Sequence, residues 1–128
     1  MIVRARIAIC LRRKTIKRVY VAGPYTKGNV AVNVRNAYSA AAELADGGLS
    51  PFVPHHTHFW EMLYPRPYQS WLDLDAAWVE CCHFLLRLPG ESTGADREVQ
   101  QAIGLGIPVF YTVAEVLAAA GQVQDAAT

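Results

Sequence analysis

The 128-residue chain has room for one domain with a single core, and its composition, 52% apolar and 18% charged, is that of a folded globular protein. A formal net charge of +1 favours neither a nucleic-acid polymer nor an acidic membrane surface as a partner. No segment approaches the roughly 20 apolar residues that cross a bilayer. We therefore expect a cytoplasmic protein without a membrane partner.

The start of the chain is basic. Residues 1–18 contain no acid and seven cations: Arg4, Arg6, Arg12, Arg13, Lys14, Lys17 and Arg18. Such a run suits a presequence or a nucleic-acid arm, but a solvated extension or a short edge strand is the simpler interpretation. We divide the chain into a basic extension at 1–17, a domain at 18–121 and a tail at 122–128.

The first half of the domain alternates between strand and helix patterns. A strand at 18–22 ends at Gly23-Pro24, a helix at about 31–46 stops at Gly47-Gly48, and a very short strand at 52–53 lies between prolines. Residues 55–68, rich in His and aromatic side chains, are predicted to be an irregular connection. Connections of that length are usually functional.

The second half repeats this alternation. We predict a helix at about 70–80, a buried strand at 83–88, a helix at about 95–105 and a strand at 108–111. A capping box of Thr112 and Glu115 starts a last helix that ends near Gly121. The apolar face of the helix at 70–80 is expected to carry Trp71, Leu74, Trp78 and Cys81.

Strands that alternate with helices predict a parallel sheet covered on both faces. We expect an α/β domain of the flavodoxin-like (Rossmann-like) doubly wound type, with four or five strands. Ligands of such sheets bind beyond the carboxyl ends of the strands, where the strand order reverses. Here that point lies between two Gly-containing loops, residues 23–29 and 89–95, which should face one crevice.

The three cysteines do not suggest a disulfide framework or a structural metal. Cys81 and Cys82 are adjacent, Cys10 is distant, and no CxxC spacing occurs. We interpret all three as reduced, buried thiols.

The segment PGESTGADRE, from Pro89 to Glu98, is the most informative in the chain. It leaves a buried strand and enters a helix, where backbone N–H groups and the helix dipole favour an anion such as phosphate. Ser92 and Thr93 add hydroxyl donors, and Gly94 permits close approach. A carboxylate at Glu98 can attack a sugar anomeric carbon. Equally, Ser92 or Thr93 can be an ordinary helix cap and Glu98 a favourable first-turn acid.

Four motifs in order resemble the nucleoside 2-deoxyribosyltransferase-like superfamily, which includes deoxynucleoside 5'-monophosphate N-glycosidases and small uncharacterised relatives. The resemblance covers residues 19–116, and the motifs that carry it are YVAGPY at 20–25, Asp75 with Trp78, LPGES at 88–92 and GADRE at 94–98. The resemblance implies no cofactor and no metal. Because relatives build their pockets partly across a dimer, it also implies a homodimer or a higher homo-oligomer.

The resemblance further implies roles for individual residues. Glu98 corresponds to the family's nucleophile, and Asp75 to the aspartate that contacts the sugar and aligns that nucleophile. A serine at the position of Ser92 is typical of the monophosphate glycosidases, whereas the transferases typically have an acid there, so Ser92 favours a phosphorylated substrate and hydrolysis. The substrate-binding residues would be Gly23, Pro24, Tyr25, His55, Ser92, Gly94 and Ala95.

Cys82 departs from the family pattern, because relatives usually carry Asp just before the central strand. If that Asp only caps a helix or orders a loop, the change is mild. If it supports the active site, the change weakens or redirects activity.

His55, His56 and His58 have a spacing that suits a metal, but no Cys or paired carboxylate completes a ligand set. We interpret them as a pocket wall or surface cluster, in which His55 or His56 contacts a base or a phosphate. Tyr25 suits either a sugar or base contact or packing. Four further aromatic residues suit either stacking on a nucleobase or a subunit interface: Trp60, Tyr64, Tyr68 and Trp71.

The leading hypothesis is an enzyme, an N-glycosidase that hydrolyses the base–sugar bond of a (deoxy)nucleoside 5'-monophosphate through Glu98. The alternatives are a nucleoside 2-deoxyribosyltransferase that exchanges bases and a nucleotide-binding module without catalysis. In each case the partner is a small nucleotide or nucleoside and not a nucleic-acid polymer.

Overall fold

The computed structural model describes residues 16–127, with side chains to residue 121. Cys10 and nearly all of the predicted basic extension therefore lie outside the described residues. The elements are, in chain order, β1 (Arg18–Ala22), α1 (Val30–Asp46), β2 (Ser50–Phe52), a 3₁₀ turn (Pro54–His56), α2 (Thr57–Leu63), α3 (Tyr68–Glu80), β3 (Phe84–Arg87), α4 (Thr93–Gly104), β4 (Val109–Phe110) and α5 (Val113–Ala127).

The four strands form one parallel sheet in the order β2-β1-β3-β4. β1 pairs with β2, where Arg18 lies opposite Ser50, and with β3, where Val19 lies opposite Phe84. The chain winds first to one side of β1 and then to the other, so the strand order reverses between β1 and β3. This arrangement confirms the predicted doubly wound α/β fold with a four-stranded sheet.

Alternate residues of the central strands point to opposite faces of the sheet. Val19 and Val21 of β1 face a cluster with α1 and α5, to which the helices contribute Ala37, Ala40, Ala41, Leu44, Val116 and Ala120. Tyr20 and Ala22 face a second cluster with α3 and α4, which includes Val79, Cys82, Leu85, Ala95, Val99 and Ala102. Both faces are covered, as a parallel sheet requires.

Residues 55–68, predicted to be irregular, are mostly helical. Helix α2 has seven residues, fewer than an isolated helix needs in water. It is attached to α3 by a hydrogen bond from Trp71 Nε1 to Glu61 Oε2 (2.6 Å) and by edge-to-face contact of the Trp60 and Trp71 rings. Because these contacts are tertiary, the local sequence gives little indication of the helix.

Several boundaries also differ from the prediction. β2 begins two residues earlier, since Ser50 already pairs with β1. α5 continues to Ala127, past Gly121 and into the segment predicted to be a tail. The capping box is confirmed, with Thr112 Oγ1 donating to Glu115 Oε1 (2.9 Å) and accepting from its N–H (3.2 Å). Within the described range, no helix has both the length and the apolar character needed to span a bilayer.

The apolar face predicted for α3 is wrong. Of its four residues only Trp71 is buried. Val79, outside the predicted face, is buried as well, whereas Trp78 is 51% exposed and stacks on Phe52. Leu74 is exposed as well. The helix is rotated so that the half-buried carboxyl group of Asp75 lies on its inner side.

Candidate active site

Two loops meet at the carboxyl ends of β1 and β3, as the topology predicts. A Cβ added at Gly23 would lie 3.1 Å from the Leu88 side chain, and one at Gly90 would lie 2.8 Å from Cγ of Pro24. Gly90 also has a φ of +114°, a conformation that L side chains rarely adopt. The loops are therefore in direct contact, and glycine is required at this contact.

A cavity of about 330 Å³ opens between these loops, α2 and the first turns of α3 and α4. Its volume is in the range of small-molecule sites. The structure brings together at this cavity all but one of the residues predicted for the site: Gly23, Tyr25, His55, Asp75, Ser92, Gly94, Ala95 and Glu98. Pro24 is not part of the cavity lining, but its carbonyl oxygen accepts a hydrogen bond from His55, which is.

Glu98 lies one turn into α4 and lines the cavity. Its Oε2 is buried and forms no hydrogen bond with the described part of the chain. Burial, reinforced by the charge of Asp75, raises the pKa of Glu98 to about 7, although the Tyr20 phenol and the Arg87 guanidinium favour the ionised form. The carboxyl group is therefore divided between its protonated and ionised forms near neutral pH.

The Tyr20 hydroxyl lies beside Glu98 on the buried face of β1. The hydroxyl is close enough for the charge of Glu98 to affect it. It is buried, however, and forms no hydrogen bond of normal geometry with the described residues. Burial and the nearby charge of Glu98 raise the pKa of Tyr20, so the phenol stays protonated. A protonated phenol next to a carboxyl group is a donor that can stabilise the carboxylate.

Asp75 reaches the same cavity from α3. Burial raises the pKa of Asp75 to about 7. A hydrogen bond from Gln101 Nε2 to the Ala76 carbonyl (2.9 Å) joins α3 to α4, so the helices that carry the two carboxyl groups are held together. The charge of Asp75 in turn raises the pKa of Glu98, and carboxyl groups with raised pKa values at one cavity are typical of catalytic sites.

Ser92 is the N-cap of α4. Its Oγ accepts a hydrogen bond from the Ala95 N–H (3.1 Å), so that amide is engaged within the protein. The capping interpretation of Ser92 is therefore realised in the structure. The hydroxyl hydrogen of Ser92 remains a donor, and the amides of Thr93 and Gly94 lie at the same helix start.

His55 is a neutral acceptor at the cavity wall. It is 4% exposed, and its Nε2 lies 2.8 Å from the Pro24 carbonyl oxygen. Because a carbonyl oxygen only accepts, Nε2 carries the hydrogen and Nδ1 carries the lone pair. Nδ1 is buried without a partner in the described residues, and burial lowers the pKa of His55.

The other two histidines have separate partners. His56 Nδ1 bonds to the carbonyl of Val53 (2.8 Å), and His58 Nδ1 to the Tyr25 hydroxyl (2.7 Å). In the range that the structure describes, no group of three or more His, Cys, Asp and Glu side chains is arranged to hold a metal.

Three charged residues at the cavity were not anticipated from the sequence: Lys27, Glu61 and Arg66. Glu61 Oε2 accepts from both Trp71 Nε1 and the Arg66 backbone N–H (3.0 Å), and the Arg66 guanidinium lies 5.8 Å from each of the Trp60 and Trp71 ring centroids. In the sequence Arg66 stands between Pro65 and Pro67, and this local pattern does not indicate a place at the cavity. Of the four aromatic residues considered for stacking, Tyr68 and Trp71 line the cavity.

The two cysteines within the described residues differ. Cys81 is exposed, so the prediction that it is buried is wrong, because the residue is the C-cap of α3. Cys82 is buried in the second core cluster with Tyr20 and Leu85, away from the cavity lining. Burial raises the pKa of Cys82 to about 11, so this position contributes a neutral core side chain.

Comparison with known proteins identifies a family and a fold for this chain. Residues 17–112 match the family described as "Domain of unknown function (DUF7768)". No curated protein matches the chain. Among solved structures, the chain is similar to a 2-deoxyribosyltransferase from the psychrotolerant bacterium Bacillus psychrosaccharolyticus, which is described as a biocatalyst for the synthesis of antiviral and antitumoral nucleosides. The TM-score is 0.54 and the sequence identity 20%, and the match covers 72% of this chain and 69% of that chain. This likeness confirms the deoxyribosyltransferase-like fold that the motifs imply.

Proposed function

This chain belongs to the family described as a domain of unknown function, DUF7768, and we propose that it is an enzyme that cleaves the N-glycosidic bond of a nucleoside 5'-monophosphate with Glu98 as the nucleophile. The observation that carries the proposal is the pair of carboxyl groups, Glu98 and Asp75, at one cavity and both with a pKa raised to about 7. The deoxyribosyltransferase-like fold supports it.

In the first step, ionised Glu98 attacks C1' of the sugar. A C1'–O bond forms as the C1'–N bond breaks, and the electron pair of that bond leaves on the base nitrogen, which takes up a proton. Because Oε2 is buried, Oε1 is the oxygen that meets the sugar. Asp75, protonated in part at neutral pH, can hydrogen-bond a sugar hydroxyl.

In the second step, water attacks C1' and the electron pair of the sugar–Glu98 bond returns to the carboxylate. The proton that water loses balances the one taken up by the departed nucleobase, and the sugar phosphate is released. This step regenerates Glu98.

The choice of a phosphorylated substrate rests on the wall around Ser92. The helix start supplies backbone donors and the hydroxyl of Ser92, and two cations, Lys27 and Arg66, line the same cavity. The oxygens of a fully ionised phosphate are acceptors, so they suit these donors. They do not suit Nδ1 of His55, which would instead accept from a base or sugar hydrogen.

Base exchange is the second candidate, and the fold likeness to a 2-deoxyribosyltransferase favours it. It uses the same first step, after which a second base, rather than water, attacks C1'. The two candidates therefore share Glu98 and Asp75 and differ in what enters the cavity once the first base has left.

The decisive experiment is to incubate the protein with a panel of nucleoside monophosphates and free nucleosides and to measure released base. We expect release from a monophosphate, and on the order of a 1,000-fold loss in Glu98→Ala. Glu43→Ala removes an exposed carboxylate on α1, outside the cavity lining, and should keep the activity.

A second base, added to the same reaction, distinguishes the candidates, because only exchange produces a new nucleoside. Nucleotide binding detected by a thermal shift, with no base released from any compound, would contradict the enzyme proposal and favour a binding module.

A further inference from the structure

Arg87 is a cation at the end of the buried strand β3, and only 10% of its side chain is exposed. A guanidinium is costly to remove from water unless its N–H groups find acceptors. It does not line the cavity, and the chemistry proposed above does not use it.

All of the acceptors of Arg87 come from the segment that follows it. Nη1 donates to the Leu88 carbonyl, and Nη2 donates to the Gly90 carbonyl at 2.9 Å. Nη2 and Nε also donate to Oδ1 of Asp96, at 2.9 and 3.3 Å. One guanidinium therefore bonds the start of the loop, its middle and the first turn of α4.

The residues proposed to act on the substrate lie on the backbone that these bonds fix. Ser92 lies between Gly90 and Asp96, and Glu98 follows Asp96 by two residues in α4. Gly90 in addition packs against Pro24 of the other loop. Displacing the guanidinium would therefore move both the cap of α4 and the contact between the loops.

We propose that Arg87 is a positioning residue, oriented by Asp96, that holds residues 88–96 in the arrangement that places Ser92 and Glu98 at the cavity. This inference deepens the proposed function and rests on it for the meaning of the cavity. The geometry that supports it stands independently: every side-chain hydrogen bond of this buried cation is directed to residues 88–96.

The guanidinium also influences the charge of Glu98. Three charged or titratable groups face that carboxyl from other elements: Tyr20 on β1, Asp75 on α3 and Arg87 on β3. Arg87 and the Tyr20 hydroxyl lower the pKa of Glu98, whereas burial and Asp75 raise it.

Arg97 and Asp96 are the charged neighbours of Glu98 on α4, and both are exposed. Removing the charge of Arg87 should raise the pKa of Glu98. Removing the charge of Asp96 leaves the charge of Arg87 uncompensated and should lower it. The two substitutions are therefore expected to act in opposite directions.

The test is a titration of the Glu98 carboxyl carbon by NMR in ¹³C-labelled protein, which needs no substrate. Compared with the natural chain, we expect a titration at higher pH in Arg87→Met and at lower pH in Asp96→Asn. Arg97→Gln, which removes an exposed guanidinium from the same helix, is the matched control and should leave the titration unchanged. Shifts of the same sign in R87M and D96N, or no shift in either, would overturn the proposal.

Arg87→Lys separates charge from geometry, because lysine keeps the charge but cannot form the same set of bonds. We expect the titration of Glu98 to return toward that of the natural chain, while base release stays about tenfold or more below it. Full activity in R87K would overturn the positioning role. If R87M does not fold, the titrations of D96N and R87K test the proposal instead. If the natural chain releases no base, the proposed function is contradicted, whereas the NMR titration still tests the role of Arg87.

Discussion

At the scale of single residues, the burial of Glu98 that raises its pKa also lowers the stability of the fold when the carboxyl group is ionised. Its carboxyl group is partly withdrawn from water, and its pKa is raised from 4.5 to about 7. The folded protein thus holds this proton more tightly than the unfolded chain does. Stability is then unaffected by Glu98 below pH 4, falls as the pH rises through the window from about 4.5 to about 7, and stays reduced above it.

Glu98→Gln should therefore stabilise the protein at alkaline pH while it removes the nucleophile. We expect the free energy of unfolding at pH 8 to rise by on the order of 2 kcal/mol, and the difference to vanish near pH 4. Urea denaturation at the two pH values measures this. Glu43→Gln, an exposed position on α1, is the control. An equal gain at both pH values would show that ionisation is not the cause.

How far the site could be predicted also depends on the residue. Glu98 and Asp75 were found because each lies in a motif that resembles a known family. Arg87 was not, since it lies within the apolar run of a buried strand, and no local pattern connects it with Asp96 nine residues later. The role of Tyr20 beside Glu98 was missed for the same reason, because their proximity arises only when α4 packs on β1.

At the scale of elements, the two loops use glycine for different purposes. Gly94 does not have a positive φ, and a Cβ there would meet only the Tyr68 hydroxyl at 3.4 Å, which is an ordinary contact. Gly90 has the positive φ and the contact with Pro24 described above. The absence of a side chain at Gly94 therefore leaves room in the cavity. At Gly90 it permits the backbone conformation and the close contact with Pro24.

We predict that Gly94→Ala leaves the melting temperature within a few degrees of that of the natural chain and raises KM for the substrate. Gly90→Ala should instead cost on the order of 1–3 kcal/mol of stability. Thermal denaturation and steady-state kinetics measure the two effects. An unchanged KM in G94A would mean that the ligand does not approach this part of the backbone.

The elements predicted correctly are those with strong local patterns, such as β1, α1 and the capping box of α5. The structure of residues 55–68 could not be predicted, because α2 has few residues and depends on Glu61, Arg66 and Trp71 being brought together. The predicted apolar face of α3 is wrong because size and apolar character do not by themselves determine burial: Trp78 is about half exposed and Leu74 is partly exposed.

At the scale of the whole molecule, the expected self-association stays a prediction. Large apolar side chains are exposed on α2, just after it and at the start of α3: Phe59, Met62, Leu63, Tyr64 and Tyr68. Exposed apolar side chains gathered in one segment are typical of interaction sites. Tyr68 also lines the cavity, so a second copy of the chain bound here would lie beside the cavity.

We expect sedimentation velocity to show a homodimer or a higher homo-oligomer, and the double substitution Phe59→Ser with Leu63→Ser to yield the monomer. Ile103→Ser, at an exposed apolar position on α4, is the matched control and should leave the assembly intact. A monomer of the natural chain at all concentrations tested would contradict the prediction.

The two outer strands of the sheet limit the form that any assembly takes. β4 has two residues, and β2 has three, of which Pro51 lacks an N–H group. Such edges offer an incoming strand almost no ladder to extend. Association of the chain is therefore expected to use side-chain surfaces and not strands added to the edges of the described sheet.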